Sequence, residues 1–303
     1  MKIIFGVKNI VKFPRPVVAL GVFDGLHRGH RNILRSAVRQ AQLVGGTSIV
    51  LTFFPHPQKQ ASLYSLEHRL RLISELGIDV CIVINFSRSF AKKSARDFIN
   101  QILVQKIAAR FIYIGKNFRF GRGAQGESKL LAVAAKNNNF VLKVFKVIKV
   151  GARVISSTAI REFVKKGKIN QAQGLLGRRV SILGTVIKGN RLARVLGFPT
   201  ANINPHHEVV PAPGIYAVKV IFRAKEYCGI CYIGRRPTVS GKNEKIHIEV
   251  HIFNFHKNIY GKLLEIQFIK LIRPDHKFAT LSALSAQIQK DIISCRKIQR
   301  LTI

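Results

Sequence analysis

A chain of 303 residues, 47% of them hydrophobic, is long enough for two domains with real cores and is not a disordered segment. Fifty-one Lys and Arg against 14 Asp and Glu give a formal net charge of +37, divided as +25 over residues 1–179 and +12 over 180–303, so the excess marks no single tail. No apolar run reaches the length of a membrane span and residues 1–13 do not read as a signal peptide, so a cytoplasmic protein is expected.

The first strong signal is the apolar run Val17–Leu20, followed by Gly21-Val22-Phe23-Asp24-Gly25-Leu26-His27-Arg28-Gly29-His30 and an amphipathic run. This reads as a strand over 17–24, a glycine loop and a helix over 30–44. A helix start leaves backbone N–H groups unpaired at its positive dipole end, which favours a phosphate. His27 and His30, three apart, share a helical face and can both address one anion.

Further strands are predicted over 47–54, ending at Pro55-His56-Pro57, over 80–86 and over 111–114, with helices over 66–76 and 94–107 between them. That alternation predicts an α/β domain with a parallel sheet and a ligand beyond the carboxyl ends of its strands. The loop Gly115–Gly123 follows the last of these strands. Its glycines permit close approach, Phe118 and Phe120 can pack on a planar ring, and Arg119 and Arg122 can meet phosphate. In Ile155–Arg161, Ser and Thr are ordinary N-cap residues, but Arg161 in a first turn suits a bound anion.

The rhythm changes near Gly177-Arg178-Arg179, which places the domains at 1–179 and 180–303. Strands are predicted over 180–188, 214–222, 227–233, 246–253 and 263–271 with almost no helix between them, then a helix over 281–293. This is an antiparallel sheet or barrel. In Leu196-Gly197-Phe198-Pro199-Thr200-Ala201-Asn202, a hydroxyl and an amide oxygen are hard ligands suited to Mg²⁺ held with nucleotide phosphates. In Ile246–Phe253, alternation puts His247, Glu249 and His251 on one face. Glu249 is either a solvated strand carboxylate or a general base aimed into a barrel cleft. Cys228-Gly-Ile-Cys231 has no second pair to complete a zinc site, and the four cysteines fit a reducing compartment.

Together these motifs resemble the bifunctional prokaryotic riboflavin kinase/FMN adenylyltransferase family over nearly the whole chain. Gly21–His30, Pro55-His56-Pro57, Gly115–Gly121, Ile155–Arg161, Gly197–Asn202, Gly234–Thr238, Glu249–Phe255, Tyr260-Gly261 and Arg273–Phe278 carry the likeness. The resemblance implies a Rossmann-like nucleotidyltransferase domain followed by an antiparallel riboflavin kinase barrel with a C-terminal helix. The barrel would phosphorylate riboflavin with ATP and Mg²⁺ to FMN, and the first domain would adenylylate FMN with ATP to FAD and pyrophosphate. It implies ATP binding by Gly21, Phe23, Asp24, Gly25, His27, His30, Asn117, Ser157 and Arg161, and by Gly197, Thr200 and Asn202 in the barrel. His27 and His30 would stabilise the triphosphate, Thr200 and Asn202 would hold Mg²⁺, and Glu249 would take the hydroxyl proton.

Several positions depart from the family pattern. Phe54 replaces an acidic residue, Leu192-Ala193 replaces an Arg-Gly-like pair, Tyr232 replaces Asn, and Asn254 replaces Asp. Ala193 and Asn254 motivate an alternative reading, a monofunctional FMN adenylyltransferase with an impaired kinase barrel. The basic charge alone motivates a nucleic-acid binder, but no reading motif accompanies it, and specific nucleic-acid binding is not expected.

Overall fold

Two short strands, Lys2–Phe5 (β1) and Val17–Leu20 (β2), precede the helix Arg28–Val44 (α1). All four residues of β2 are buried, as expected for a strand covered on both faces. In α1, Ile33, Leu34, Ala37 and Ala41 recur at helical spacing and are buried, while Arg28, Arg35 and Arg39 are exposed. Gly45 ends the helix at φ 57°, in the left-handed region that glycine tolerates. The chain continues through Ser48–Phe54 (β3), Leu66–Ser74 (α2) and Val80–Asn85 (β4). Short helices Arg88–Ala91 (α3) and Ala95–Asp97 (α4) follow, the second running on as π-helical turns over Phe98–Lys106. Phe111–Gly115 (β5), Ser128–Asn138 (α5) and Val141–Phe145 (β6) complete the alternation, and Lys149–Val150 (β7) pairs with Arg153–Val154 (β8) as a small hairpin.

The computed structural model describes residues 1–57, 61–189, 197–237 and 244–300. Its first sheet has the order β1-β4-β3-β2-β5-β6 and every pairing is parallel. The strands predicted from periodicity are its four central members. The edge strands β1 and β6 escaped prediction because they are little buried: only Ile4 of β1 is buried and no residue of β6 is, with Phe5, Val141 and Val144 exposed.

Two helices, Ser157–Lys165 (α6) and Ile169–Leu176 (α7), lead into six strands. These are Ser181–Ile187 (β9), Ala201–Asn204 (β10), Gly214–Phe222 (β11), Lys225–Pro237 (β12), Glu244–Ile252 (β13) and Leu263–Pro274 (β14). They close as a barrel in the order β10-β13-β12-β11-β14-β9, antiparallel throughout. Tyr216, Val218, Val220, Cys231, Ile248, Val250, Leu264, Ile266 and Phe268 are buried and alternate with the outward residues. The helix Leu281–Arg300 (α8) covers part of the outer wall, where Cys295 packs with Ala217, Ile230 and Phe253. Arg273 fixes this helix by donating from Nε and Nη2 to the Asp291 carboxylate, which is almost fully buried, at 2.8–3.0 Å.

Contacts divide the chain into Met1–Ser62 with Leu66–Ser157, and Leu63–Ser65 with Thr158–Ile303. This differs from the predicted division at 179/180. The reason is packing: α7 lies on β14 and Gln173 Nε2 donates to the Phe268 carbonyl at 3.0 Å, so both linking helices belong with the barrel.

Candidate active sites

In the first sheet, Leu20 of β2 lies beside Leu51 of β3 on one side and Ile114 of β5 on the other. The chain turns outward in opposite directions from this point, so the loops leaving β2 and β5 flank the crevice where open α/β sheets hold ligands. The Gly21–His27 loop leaves β2 there, and the Gly115–Asn117 turn leaves β5 with Asn117 exposed.

The Gly21–His27 loop is tightly folded. Gly21 is required by close approach, since a Cβ there would stand 2.9 Å from the Phe23 ring. Phe23 and Leu26 adopt φ 53° and 41°, a region costly for side chains of this size, while Gly25 at φ 79° meets no such penalty. Phe23, Asp24 and Leu26 are buried, so of the predicted nucleotide contacts Phe23 and Asp24 face the protein interior. They support the loop rather than present a side chain to a ligand.

His27 is the N-cap of α1: its Nδ1 accepts from the His30 backbone N–H at 3.3 Å. The proton of the neutral ring is therefore on Nε2, which leaves one donor for a ligand. The two imidazoles stack with centroids 3.7 Å apart, and the Phe23 ring meets His30 edge-on at 5.3 Å. Burial lowers the His27 pKa from 6.5 to about 4, opposed by its backbone hydrogen bond. Burial, then the charge of His27, holds His30 well below the ordinary value; the residue is half-buried, and its Nδ1 is buried without a partner among the described residues. Both histidines are thus neutral at pH 7, and their first contribution to an anion is N–H donation rather than charge.

Ser157 Oγ donates to the Asp24 carbonyl at 2.7 Å, which ties the start of α6 to this loop. Arg161 lies one helical turn further on, is 8% exposed, and counts with the second unit. Phe118 and Phe120 do not await a planar ligand in this structure. They stack on each other at 5.8 Å, and Phe120 is buried against Phe98 at 5.4 Å in an aromatic cluster of the core. Arg119 pairs with Glu127.

The barrel site forms on the outer wall. Strand register places Asn202 opposite Glu249, Glu249 opposite Tyr232, and Tyr232 opposite Ile215, in one row across four strands. Opposed residues share a face, and the buried neighbours Ile248 and Val250 occupy the other. Glu249 therefore points away from the barrel interior, on the face that the alternation of Ile246–Phe253 predicts, and any cleft it serves lies on the outer wall. Thr200 Oγ1 donates to Glu249 Oε2 at 3.1 Å. A Cβ at Gly189 would collide with the Asn202 amide, so glycine is needed there for that side chain to lie close. Gly197 is exposed at φ 85°. Leu192 and Ala193 lie outside the described residues. Asn254 sits at φ 53°, where Asn is among the best tolerated residues, so replacing Asp at this position suits the turn.

Sequence reasoning missed four contributors. His251 Nδ1 lies 2.8 Å from the Pro199 carbonyl and its ring packs edge-on against Phe198, which fixes the segment carrying Thr200. Tyr232 Oη donates to Asp275 at 3.2 Å, tying the turn after β14 to the row that holds Glu249. Thr52 and Arg69 both donate to the Val22 carbonyl, at 2.9 and 2.7 Å. Arg69 had a readable signal, since it falls on the apolar stripe of α2 with Leu66, Leu70 and Ile73.

Family comparison separates the same two regions. A family model described as FAD synthetase matches residues 11–159, and one described as riboflavin kinase matches 176–299. A curated bifunctional riboflavin kinase/FMN adenylyltransferase of Haemophilus influenzae is 38% identical over 91% of both chains. The chain belongs to the bifunctional riboflavin kinase/FMN adenylyltransferase family. Its Escherichia coli K12 member is 35% identical over 100% of this chain and 99% of its own. A solved structure described as a macrolide-efflux protein from Streptococcus pneumoniae matches 98% of this chain and 99% of its own, with a TM-score of 0.85 and 28% identity. Among the described residues no helix is long and apolar enough to cross a membrane.

Proposed function

We propose that the two activities of the family are divided between the two sites, with adenylylation of FMN in the first unit and phosphorylation of riboflavin on the barrel. At the barrel, Glu249 accepts the proton of the ribityl 5′-hydroxyl as its oxygen takes the γ-phosphoryl group of ATP, and ADP leaves. At the sheet, a phosphate oxygen of FMN attacks the α-phosphorus of a second ATP. The bond from the α-phosphorus to the α,β-bridging oxygen breaks, and FAD and pyrophosphate are released. His27 and His30 donate N–H to the triphosphate, Ser157 stands beside the same loop, and Asn117 orients the reacting groups from the β5 turn.

Mg²⁺ fits the barrel wall on donor chemistry. The Thr200 hydroxyl and Asn202 amide oxygen are hard ligands beside a carboxylate, and no group of three His, Cys, Asp or Glu among the described residues offers an all-protein metal cage. Bound there, Mg²⁺ would neutralise charge on the transferring phosphates. Both reactions are assigned to the cytoplasm, where the four unpaired cysteines remain reduced.

The observation that carries this reading is the coexistence of the histidine stack at the sheet crevice and the Thr200–Glu249 pair on the barrel wall in one chain. Both keep their reactive groups, and the Asn254 substitution suits its backbone, so the geometry favours two working sites over an impaired kinase. Purified protein given riboflavin, ATP and Mg²⁺ yields FMN and then FAD on chromatography. Folded protein that forms neither product would overturn the proposal.

A further inference from the structure

The loop carrying His27 contains two bulky residues at positive φ, and within it Leu26 N–H donates to the Phe23 carbonyl at 3.3 Å. Strained backbone at a functional site persists only where surrounding structure holds it. The support comes from beneath. The Val22 carbonyl, the first point where the chain leaves β2, accepts from both Thr52 Oγ1 and Arg69 Nη1 at 2.9 and 2.7 Å. Arg69 Nη2 reaches the Phe53 carbonyl at 3.4 Å, so one guanidinium joins the carboxyl ends of β2 and β3. Arg69 is 2% exposed, and the leading opposing charge acting on it is that of Asp24, itself 2% exposed and in the middle of the loop. Arg69 Nε has no partner among the described residues. A buried cation is costly, and an apolar side chain of this length would fill the same space more cheaply. Hydrogen bonds from a charged donor to main-chain carbonyls are stronger and more directional than neutral ones.

We propose that Arg69, with Asp24 as its counter-charge and Thr52 as the second donor to Val22, is a positioning residue for adenylyl transfer that holds the 22–26 turn so that His27 and His30 face the nucleotide. Arg69 touches no substrate. It acts through the loop, and the proposal rests on the assignment of His27 and His30 to the FMN adenylylation site.

The test uses the full chain, whose riboflavin kinase rate reports folding of the same sample, together with thermal melting of each preparation. Arg69→Met is expected to lower kcat for FAD formation from FMN by about 30-fold or more, with KM for FMN within about threefold, because displacement of catalytic groups by an ångström costs up to about a hundredfold. Arg69→Lys keeps a charged donor in reach of Val22 and is expected to retain at least about a third of wild-type kcat. In a His30→Ala background, Arg69→Met should add less than about threefold, since both changes remove the same alignment. If His30→Ala is severely impaired while folded Arg69→Met keeps wild-type kcat, the positioning role is overturned and the histidine assignment stands. An Arg69 effect that is undiminished in the His30→Ala background also overturns it, as does Arg69→Lys no better than Arg69→Met. If His30→Ala is itself fully active, both readings fall. Should Arg69→Met not fold, Thr52→Val decides, with a loss of about fivefold in kcat supporting the role and unchanged kcat overturning it.

Discussion

The two sites solve the same problem, neutralising a triphosphate, with opposite architecture. At the sheet the two histidines lie within four residues of one another, beside a strained loop over a buried charged support. On the barrel the working groups come from three strands and the segment before β10, on a wall whose alternation separates Glu249 from the core. The first site depends on one local backbone conformation, the second on register. A one-residue slip between β10 and β13 would move Asn202 to the other face from Glu249, while the loop at β2 would not notice.

The sharpest way to break this comparison is to remove one reactive group at a time. Glu249→Gln should lower FMN formation by about a thousandfold, in the range for loss of a general base, and leave FAD formation from supplied FMN unchanged. His30→Ala should lower FAD formation from FMN by about 100- to 1,000-fold, as for loss of a preorganised donor, and leave FMN formation unchanged. Steady-state assays of both steps on both variants check this, and either change abolishing both steps in folded protein would erase the separation.

The difference also explains what could be read from the sequence. The loop at β2 was legible because strand, glycine turn, histidine spacing and helix are contiguous. The alternation over 246–253 likewise placed Glu249 away from the core strip. Its true neighbours were not legible: β10 is only four residues long, and nothing in its composition announces that Asn202 lies opposite Glu249. The support under the first loop was hidden for the same reason. Val22, Thr52 and Arg69 meet only once β2, β3 and α2 are assembled. In the glycine-rich loop after β5, Phe120 is buried in the core beside Phe98 and the half-buried Phe118 stacks on it, a packing that the loop's composition does not announce.

Smaller effects sharpen the contrast. Asp291→Ala strands the Arg273 guanidinium against α8 and should destabilise the barrel by about 3–5 kcal/mol, measured as a lower melting transition followed through kinase activity. The histidine stack contributes in the other unit through pH. Because the folded pKa of His27, about 4, lies below its ordinary 6.5, the unfolded chain takes up the proton first. Its contribution is fully present above pH 6.5 and is lost as pH falls towards 4, on the order of 3 kcal/mol over the full window. Urea unfolding of wild type and His27→Gln across that window should show the steeper decline in wild type. Tyr232→Phe removes the bond to Asp275 and should cost about 1 kcal/mol, visible as a modest rise in KM for the kinase step with adenylylation unaffected.

The central claim is that two independent sites act in series on one chain, and complementation tests it most directly. Glu249→Gln and His30→Ala proteins are mixed in equal amounts with riboflavin, ATP and Mg²⁺, and the flavins are separated by chromatography. The account predicts no FMN or FAD from the first variant alone, FMN without FAD from the second alone, and FAD from the mixture. A mixture of the folded variants that yields no FAD would contradict it.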